Sequence, residues 1–476
     1  IGAANGNSDP ANTIIVPAGQ YHLTLRGVPE DNNLSGDLDI HKSVTILAAD
    51  GASVDGGGFS SDSDGPTCDR VFDIKGDFDV PISVTLSGLS ISGGFVQGVS
   101  DGEVQGGGIR VFANATEPAA TRTTLTMTNC AVSYNTVQAS TKIEDETRGG
   151  SALGGGIYAS GAYLSITNTV VSNNIAAGGA AEGEFYGDIF GGSASGGGLC
   201  QVGAAATLIK TTFSQNHAIG GPAYMSGNFN AYGGAGMGGG LLIGSSSFLM
   251  TDSEIDHNEV SGGRAESSGV GQDGTFGDAR GGDAYGGGLD SGPNSSCIGC
   301  TFAGNTVAAG SASASGLRLF GSGTGGGVMG GFLYNCTISG NAVGGETAVG
   351  GGVGNAGALF NCTVASNTAS ANTAVTGGGV GSVLGGILYS TLVAGNTVSS
   401  AQGNTDDGTD VKGVSSYGHN LIANGSGADP SFGPASNDII GGNVSDLISP
   451  LADNGGPTLT RPQVRQPRDR PGRERP

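Results

Sequence analysis

Apolar and polar residues alternate along most of this chain in short runs that end abruptly. In YLSITNTVVSNN, starting at Tyr163, Leu164 and Ile166 are separated by Ser165. TLIKTTFSQN (from Thr207) and ALFNCTVASN (from Ala358) follow the same plan, with Leu359, Cys362 and Val364 near a two-residue alternation broken by a corner. A two-residue period predicts strands with one buried face, and β-branched runs bounded by Gly and Asn predict turns between them. The 3.6-residue period of an amphipathic helix is absent.

Two marks punctuate these runs. One is a triple glycine followed by an apolar residue, beginning at Gly106, Gly154, Gly196, Gly238, Gly286, Gly325, Gly350 and Gly377. The other is an Asn closing a strand, at Asn135, Asn174, Asn216, Asn258, Asn305, Asn341, Asn367 and Asn396. The shortest intervals between triple glycines are 25 and 27 residues. A strand–turn–strand unit of that size does not bury its apolar face alone, but copies stacked about 4.8 Å apart bury a continuous core. The expected fold is therefore all-β, a right-handed parallel β-helix with long Gly-rich loop insertions. Equivalent residues should form ladders: Asn at one corner, where it tolerates left-handed backbone and hydrogen-bonds at turns, and Gly at another.

NCTISGN (from Asn335), NCTVASN (from Asn361) and the GGGI and GGGV phrases resemble the repeats of secreted bacterial right-handed β-helix proteins, and are similar to the chlamydial polymorphic outer-membrane-protein repeat. The stretch from TIIVPAGQYHLTL through VTLSGLSISGG resembles the opening coils of large bacterial surface proteins of that group. DPSFGPASN and ISPLADNGGPTLT look like the approach to a choice-of-anchor module. The resemblance covers nearly all of residues 12–460 and implies the fold and a tether to the cell surface. It implies no activity, because the group shares no catalytic motif. The expected organisation is a β-helix with its N-terminal cap over residues 1–425, a truncated anchor-like segment over 426–460, and a disordered Arg/Pro-rich tail over 461–476.

Composition narrows the setting. Gly makes up 95 of 476 residues, the hydrophobic share is 37%, and the formal charge is −22. So acidic a surface repels phosphate backbones, which argues against nucleic acid as a partner. No apolar run is long enough for a membrane-spanning helix. The chain opens on Ile1 without a signal peptide, and the reading is a secreted protein whose leader is missing, placed outside the cell or on its surface. Of the seven cysteines, Cys130, Cys300, Cys336 and Cys362 share one repeat position, which reads as packing. Cys297 and Cys300 form a lone C-x-x-C without the second pair a zinc site needs.

On such a scaffold, chemistry belongs to the inserts between an Asn and the next triple glycine: residues 136–153, 175–195, 217–237 and 259–285. Three of them repeat a plan. Phe185, Phe229 and Phe276 fall 9 to 11 residues before the triple glycine, suggesting ordered, stacked loops. With Tyr186, Tyr232 and Tyr285 they would form an aromatic platform for sugar rings; the structural alternative is a Phe ladder pinning the loops. Acids accompany them: Glu182, Glu184, Asp188, Asp273, Asp278 and Asp283, with Glu144, Asp145 and Glu146 one insert earlier. Two facing carboxylates are what glycoside cleavage requires, so Glu184, Asp188, Asp273, Asp278 and Asp283 are the catalytic candidates. Solvated surface acids are the default on a chain this acidic. Arg110, Tyr158 and Asp290 follow the triple glycine at equivalent positions, but Cys200 and Leu242 intervene. SDSDGPTCD, with Asp62, Asp64 and Asp69, has a calcium-like flavour without the closing Glu of an EF-hand loop. The favoured reading of that stretch is an exposed loop; no metal or other cofactor is expected, with calcium as the one alternative.

The leading expectation is a surface β-helix that presents acidic, Gly-rich loops for adhesion to polysaccharide or other cell-surface components. The alternative is a polysaccharide hydrolase or lyase using loop carboxylates. A third is self-assembly through exposed strands.

Overall fold

The computed structural model describes residues 1–460 except 26–32, 34, 59–68, 77–79, 99–101, 114–121, 144–146, 185–186, 245–246, 271–273, 403–408, 443–448 and 455. Every pairing between its named strands is parallel, and the chain is an all-β parallel β-helix. Sheet I has 12 strands, from Asn12–Val16 to Ser415–Ser416, and sheet II has 13, from Gly19–His22 to Ile439–Ile440. Sheet III has 15 and sheet IV 11. A short helix, Gly2–Gly6, precedes the first strand, and Asn5 ties it to the close of the first coil through Asp39 O and His41 N.

One coil shows the plan. Tyr163–Thr167 lies in sheet I, Val170–Ser172 in sheet II and Ile175–Ala177 in sheet III. The chain then leaves the body through Ala181–Gly183 and Ile189–Phe190, returns to sheet III at Ala194–Ser195, and closes with Leu199–Val202 in sheet IV. Inward residues of sheet I stack as Leu86, Met127, Ile166, Leu208, Met250, Cys297, Leu333, Leu359 and Leu388, all almost fully buried. Each such aliphatic side chain contributes about 1.5–3 kcal/mol by leaving water. The sulfurs of Cys130, Cys300, Cys336 and Cys362 are free, buried and hydrogen-bonded to main-chain carbonyls.

All eight repeat asparagines form one buried ladder. Asn216 is typical: its Nδ2 and its backbone N–H both donate to Asn258 Oδ1, at 2.9 and 3.0 Å, and Nδ2 also donates to Val171 O. The series ends at Asp410, whose Oδ1 accepts from Asn396 Nδ2 at 2.8 Å. A shorter series ends the same way, with Asn420 Nδ2 donating to Asp438 Oδ1. Carboxylates only accept, so Asp is suited to close a donor-to-acceptor series. Burial raises the Asp410 pKa above the usual carboxylate range. The expectation of left-handed backbone at the Asn itself is corrected: the residue before it takes that conformation, as at Tyr134, Asn173, Gln215 and His257. The asparagine must turn inward to reach its neighbours, so the chain reverses one residue earlier, on the solvent side.

The triple glycine packs against this ladder. Gly154 has φ +65°; a Cβ on Gly155 would lie 2.4 Å from Gly197 O, and one on Gly156 2.9 Å from the Asn174 amide. The three positions answer to a left-handed turn, a backbone approach and a side-chain contact, and only Gly satisfies all three.

The inserts form a side lobe with two further sheets, of 5 and 4 strands, and its own small core of Ala181, Ile189, Ala223, Met225, Ala231, Ala265 and Ala279. A fifth insert, with strands Ala312–Ala314 and Arg318–Leu319, joins the lobe from the next coil. Where the insert ends, one strand, Ala342–Val349, pairs with both the outgoing Thr306–Ala308 and the returning Gly323–Thr324. Body and lobe meet at a waist of glycines. Gly179, Gly192, Gly221, Gly234, Gly263, Gly282, Gly310 and Gly321 each donate N–H to the preceding member of the column, which starts at Gly150 O, over 2.7–2.9 Å. Outgoing and returning segments alternate in that column. Beyond the last full coils, Thr458 Oγ1 donates to Gly299 O at 3.1 Å, folding the C-terminal segment back onto the body.

Candidate functional site

The shortest lobe strands set the geometry of its outer face. Ile189–Phe190, Ala231–Tyr232, Ala279–Arg280 and Arg318–Leu319 pair in parallel register, with Ile189, Ala231 and Ala279 pointing into the lobe core. The alternate positions therefore form an outward column: Phe190, Tyr232, Arg280 and Leu319. The Phe190 and Tyr232 rings stack at 4.8 Å between centroids and 9° between planes. Arg148, bridged to Phe190, lays its guanidinium 4.5 Å from that ring's centroid, a cation–π contact. At the other end Arg280 pairs with Asp283 at 3.1 Å. Asp283 also accepts from Tyr285 Oη at 3.2 Å and from Ser322 N at 2.8 Å. Burial, then the Asp283 carboxylate, pushes the Tyr285 hydroxyl up to about 12, so it stays protonated as a donor.

The other predicted residues are placed as follows. Asp188 accepts from Asn230 N and Nδ2 at 3.0 and 3.3 Å; Asn230 Oδ1 accepts from Asp278 N at 2.8 Å; Asp278 Oδ1 accepts from Leu317 N at 2.7 Å. Asp188, Asn230 and Asp278 are thus successive rungs that hold the lobe turns in register. Glu182 and Glu184 are exposed. Phe229 packs partly buried against the lobe core, whereas Phe276 is 54% exposed, so these two rings do not share one stacked ladder. The reason is register: strand pairing aligns Phe190, Tyr232 and Arg280, with Phe229 three residues before Tyr232 and Phe276 four before Arg280. Phe185, Tyr186 and Asp273 lie outside the described residues, as do Glu144, Asp145, Glu146, Asp62 and Asp64.

Sequence reading missed Arg148, Phe190 and Arg280. The available signal was the returning double glycine, in IFGG, AYGG and ARGG: it fixes the register of the residue just before it. A second aromatic strip was also missed, on the outer face of sheet I, where Tyr334 stacks on Phe360 at 5.0 Å, followed by Tyr389 and His419 at 6.3 and 5.8 Å. Its signal is the ring before each corner, in LYNCT, LFNCT and LYSTL.

The column behind the triple glycines runs through sheet IV as Arg110, Tyr158, Cys200, Leu242 and Asp290, and pairing extends it in the other direction to Asp73 and Asp39. Its acids do form a contiguous group, but at the N-terminal end. Asp290 stands apart, and burial raises its pKa to about 6. A carboxyl that holds its proton more tightly when folded contributes stability that is fully present below its ordinary pKa of 3.8 and is lost as pH rises through about 6. Asp290→Asn is therefore expected to raise stability at pH 7 by on the order of 1–2 kcal/mol and to leave it unchanged at about pH 3 and below. Thermal melts across that range check this; equal melting temperatures at pH 7 would count against it.

No protein-family model matches the chain, and no curated protein matches it either. Among solved structures it is similar to pectate lyase Pel9A, at 12% identity over 94% of this chain and 76% of that one, with a TM-score of 0.34. It is also similar to the Dettilon tailspike protein, at 11% identity over 84% and 62% of the two chains, with a TM-score of 0.27. At these values neither similarity bears on chemistry; the fold rests on the strand pairing itself.

Proposed function

We propose that this is an extracellular or cell-surface β-helix protein whose side lobe binds polysaccharide without cleaving it. The observation that carries the reading is the Arg148–Phe190–Tyr232–Arg280 column, in strict register on the outside of the lobe. Stacked rings offer flat apolar faces for sugar rings, and guanidiniums at both ends donate to hydroxyls or carboxylates. Asp188 and Asp278 hydrogen-bond to neighbouring coils, which favours binding over acid–base chemistry. The surface setting is supported by the resemblance of the segment after residue 425 to an anchoring module.

The test is a panel of neutral and acidic polysaccharides incubated with the purified chain, scoring retained binding and released sugar ends together. Expected are binding to an acidic member, no released ends, and a loss on the order of tenfold in Tyr232→Ala, the value of about 1–1.5 kcal/mol for a lost stack. Equal affinity in Tyr232→Ala would remove the column from the site. Released ends would replace adhesion with catalysis.

A further inference from the structure

Away from the lobe, the first coils bring together acids far apart in sequence. Asp39 and Asp73 are paired neighbours in sheet IV, and Asp37 precedes the first of these strands. One carboxylate oxygen from each of the three lies within 4.8 Å of the others. The three residues are buried, at 4, 1 and 3% exposure. A hard cation with oxygen ligands at about 2.3–2.6 Å requires such convergence of ligand atoms.

The surrounding groups orient these carboxylates. Arg70 Nη1 donates to Asp37 Oδ2 at 3.2 Å and to Asp73 Oδ2 at 3.4 Å. Arg110 clamps Asp73 with two donors, Nε at 2.9 Å from Oδ1 and Nη2 on Oδ2. The Asn33 backbone N–H donates to Asp39 Oδ2 at 3.0 Å.

A fourth carboxylate gives the independent indication. The Asp69 side chain is only 10% exposed. Its Oδ1 accepts from Arg70 N at 2.9 Å and lies 3.9 Å from the same Nη1 that holds Asp37 and Asp73. Among the described residues, its Oδ2 is buried without a hydrogen-bond partner, as is Arg70 Nε. That oxygen is turned against Gly36, next to Asp37: a Cβ built on Gly36 would lie 2.4 Å from it. A buried carboxylate oxygen with nothing in the protein to accept from is rare, and an ion or an ion-bound water is an ordinary partner for one.

We infer that Asp37, Asp39 and Asp73, backed by Asp69, hold a divalent cation, with calcium preferred over magnesium. Magnesium keeps several waters and demands near-octahedral geometry, whereas calcium accepts irregular sets of protein oxygens. Bound there, the ion joins the segment around Asp37 to the strands Leu38–Ile40 and Phe72–Lys75, stapling the first described coils together.

The full chain, dialysed against a chelator and then against buffered calcium, would be assayed for bound metal by elemental analysis, and titrated by calorimetry with calcium chloride and separately with magnesium chloride. Expected are about one equivalent of calcium, at least tenfold weaker magnesium binding, and a melting temperature raised by a few degrees. Asp39→Asn and Asp37→Asn should each weaken calcium binding tenfold or more while circular dichroism stays that of the parent. Less than stoichiometric calcium in the parent, or parental affinity in either folded variant, overturns the inference. Should both variants fail to fold, amide exchange in the parent decides. Calcium must slow exchange in Leu38–Ile40 and Phe72–Lys75 and leave the lobe unchanged; no slowing there overturns the inference.

Discussion

Asn258→Ala is expected to destabilise the middle of the solenoid by about 4 kcal/mol or more and to split its unfolding into two transitions. The substitution removes one rung of a continuous series. Asn258 Oδ1 accepts both the backbone N–H and the Nδ2 of Asn216, and Asn258 Nδ2 donates to Phe213 O and Asn305 Oδ1. Alanine leaves two buried donors and a buried carbonyl without these partners, at about 1–3 kcal/mol for each group so orphaned. Contacts in a solenoid are between neighbouring coils, so the weakened step separates two blocks that unfold independently. Asn168→Ala is the internal comparison. Asn168 is exposed, with φ +46° and a surface hydrogen bond to Asn129. Its replacement should cost about 1 kcal/mol, mainly from left-handed backbone without an Asn side chain. Urea denaturation followed by circular dichroism distinguishes the two. A single transition with equal midpoints for both variants would show that the ladder does not couple the coils.

Gly192→Ala is expected to be comparably damaging, but to act first on the lobe. A Cβ at Gly192 would lie 1.7 Å from Gly150 O and 2.6 Å from Gly150 C, so the waist must open. Both clashing atoms are backbone, and the Gly221-to-Gly192 and Gly192-to-Gly179 hydrogen bonds belong to the column that would have to part. The expected loss is about 3–5 kcal/mol, in the range of severe overpacking with broken backbone hydrogen bonds. Limited proteolysis should then cut within residues 178–192 while the body, whose core is separate, stays resistant. Gly187→Ala is a control within the same insert, because a Cβ at Gly187 meets nothing within 4 Å, leaving only the cost of its φ of +79°. Equal protease resistance in Gly192→Ala and the parent would mean that the waist has room that the backbone positions deny.

The two substitutions mark what each level of description decides. The alternation, the triple glycines and the eight asparagines are local, periodic signals, and they were sufficient for a parallel β-helix because stacking copies of one unit has few solutions. Even the small corner residues, Cys300, Cys336 and Cys362, could be read as one buried column from their shared repeat position. The inserts were legible as ordered and as related to one another, but not in detail. Counted strictly back from the triple glycine, Phe190, Tyr232, Arg280 and Leu319 all stand six residues before it, which is the register the strands pair in; Phe229 and Phe276 stand 9 and 10 residues before it, never share a position, and end in different surroundings.

Sequence by itself thus determined the fold class, the repeat, the ladders and the acidic, Gly-rich character of the loops. Tertiary structure alone decided that the left-handed residue precedes each ladder Asn, that Phe190, Tyr232 and two arginines share a face, and that Asp37 and Asp39 meet Asp69 and Asp73. The physical reason is one of range. Strand periodicity and turn chemistry act between residues close in sequence, whereas the register between coils is set by backbone pairing across a whole turn of the solenoid. A carboxylate cluster assembled from positions more than thirty residues apart has no local signature, because only the closed coil brings its members within reach.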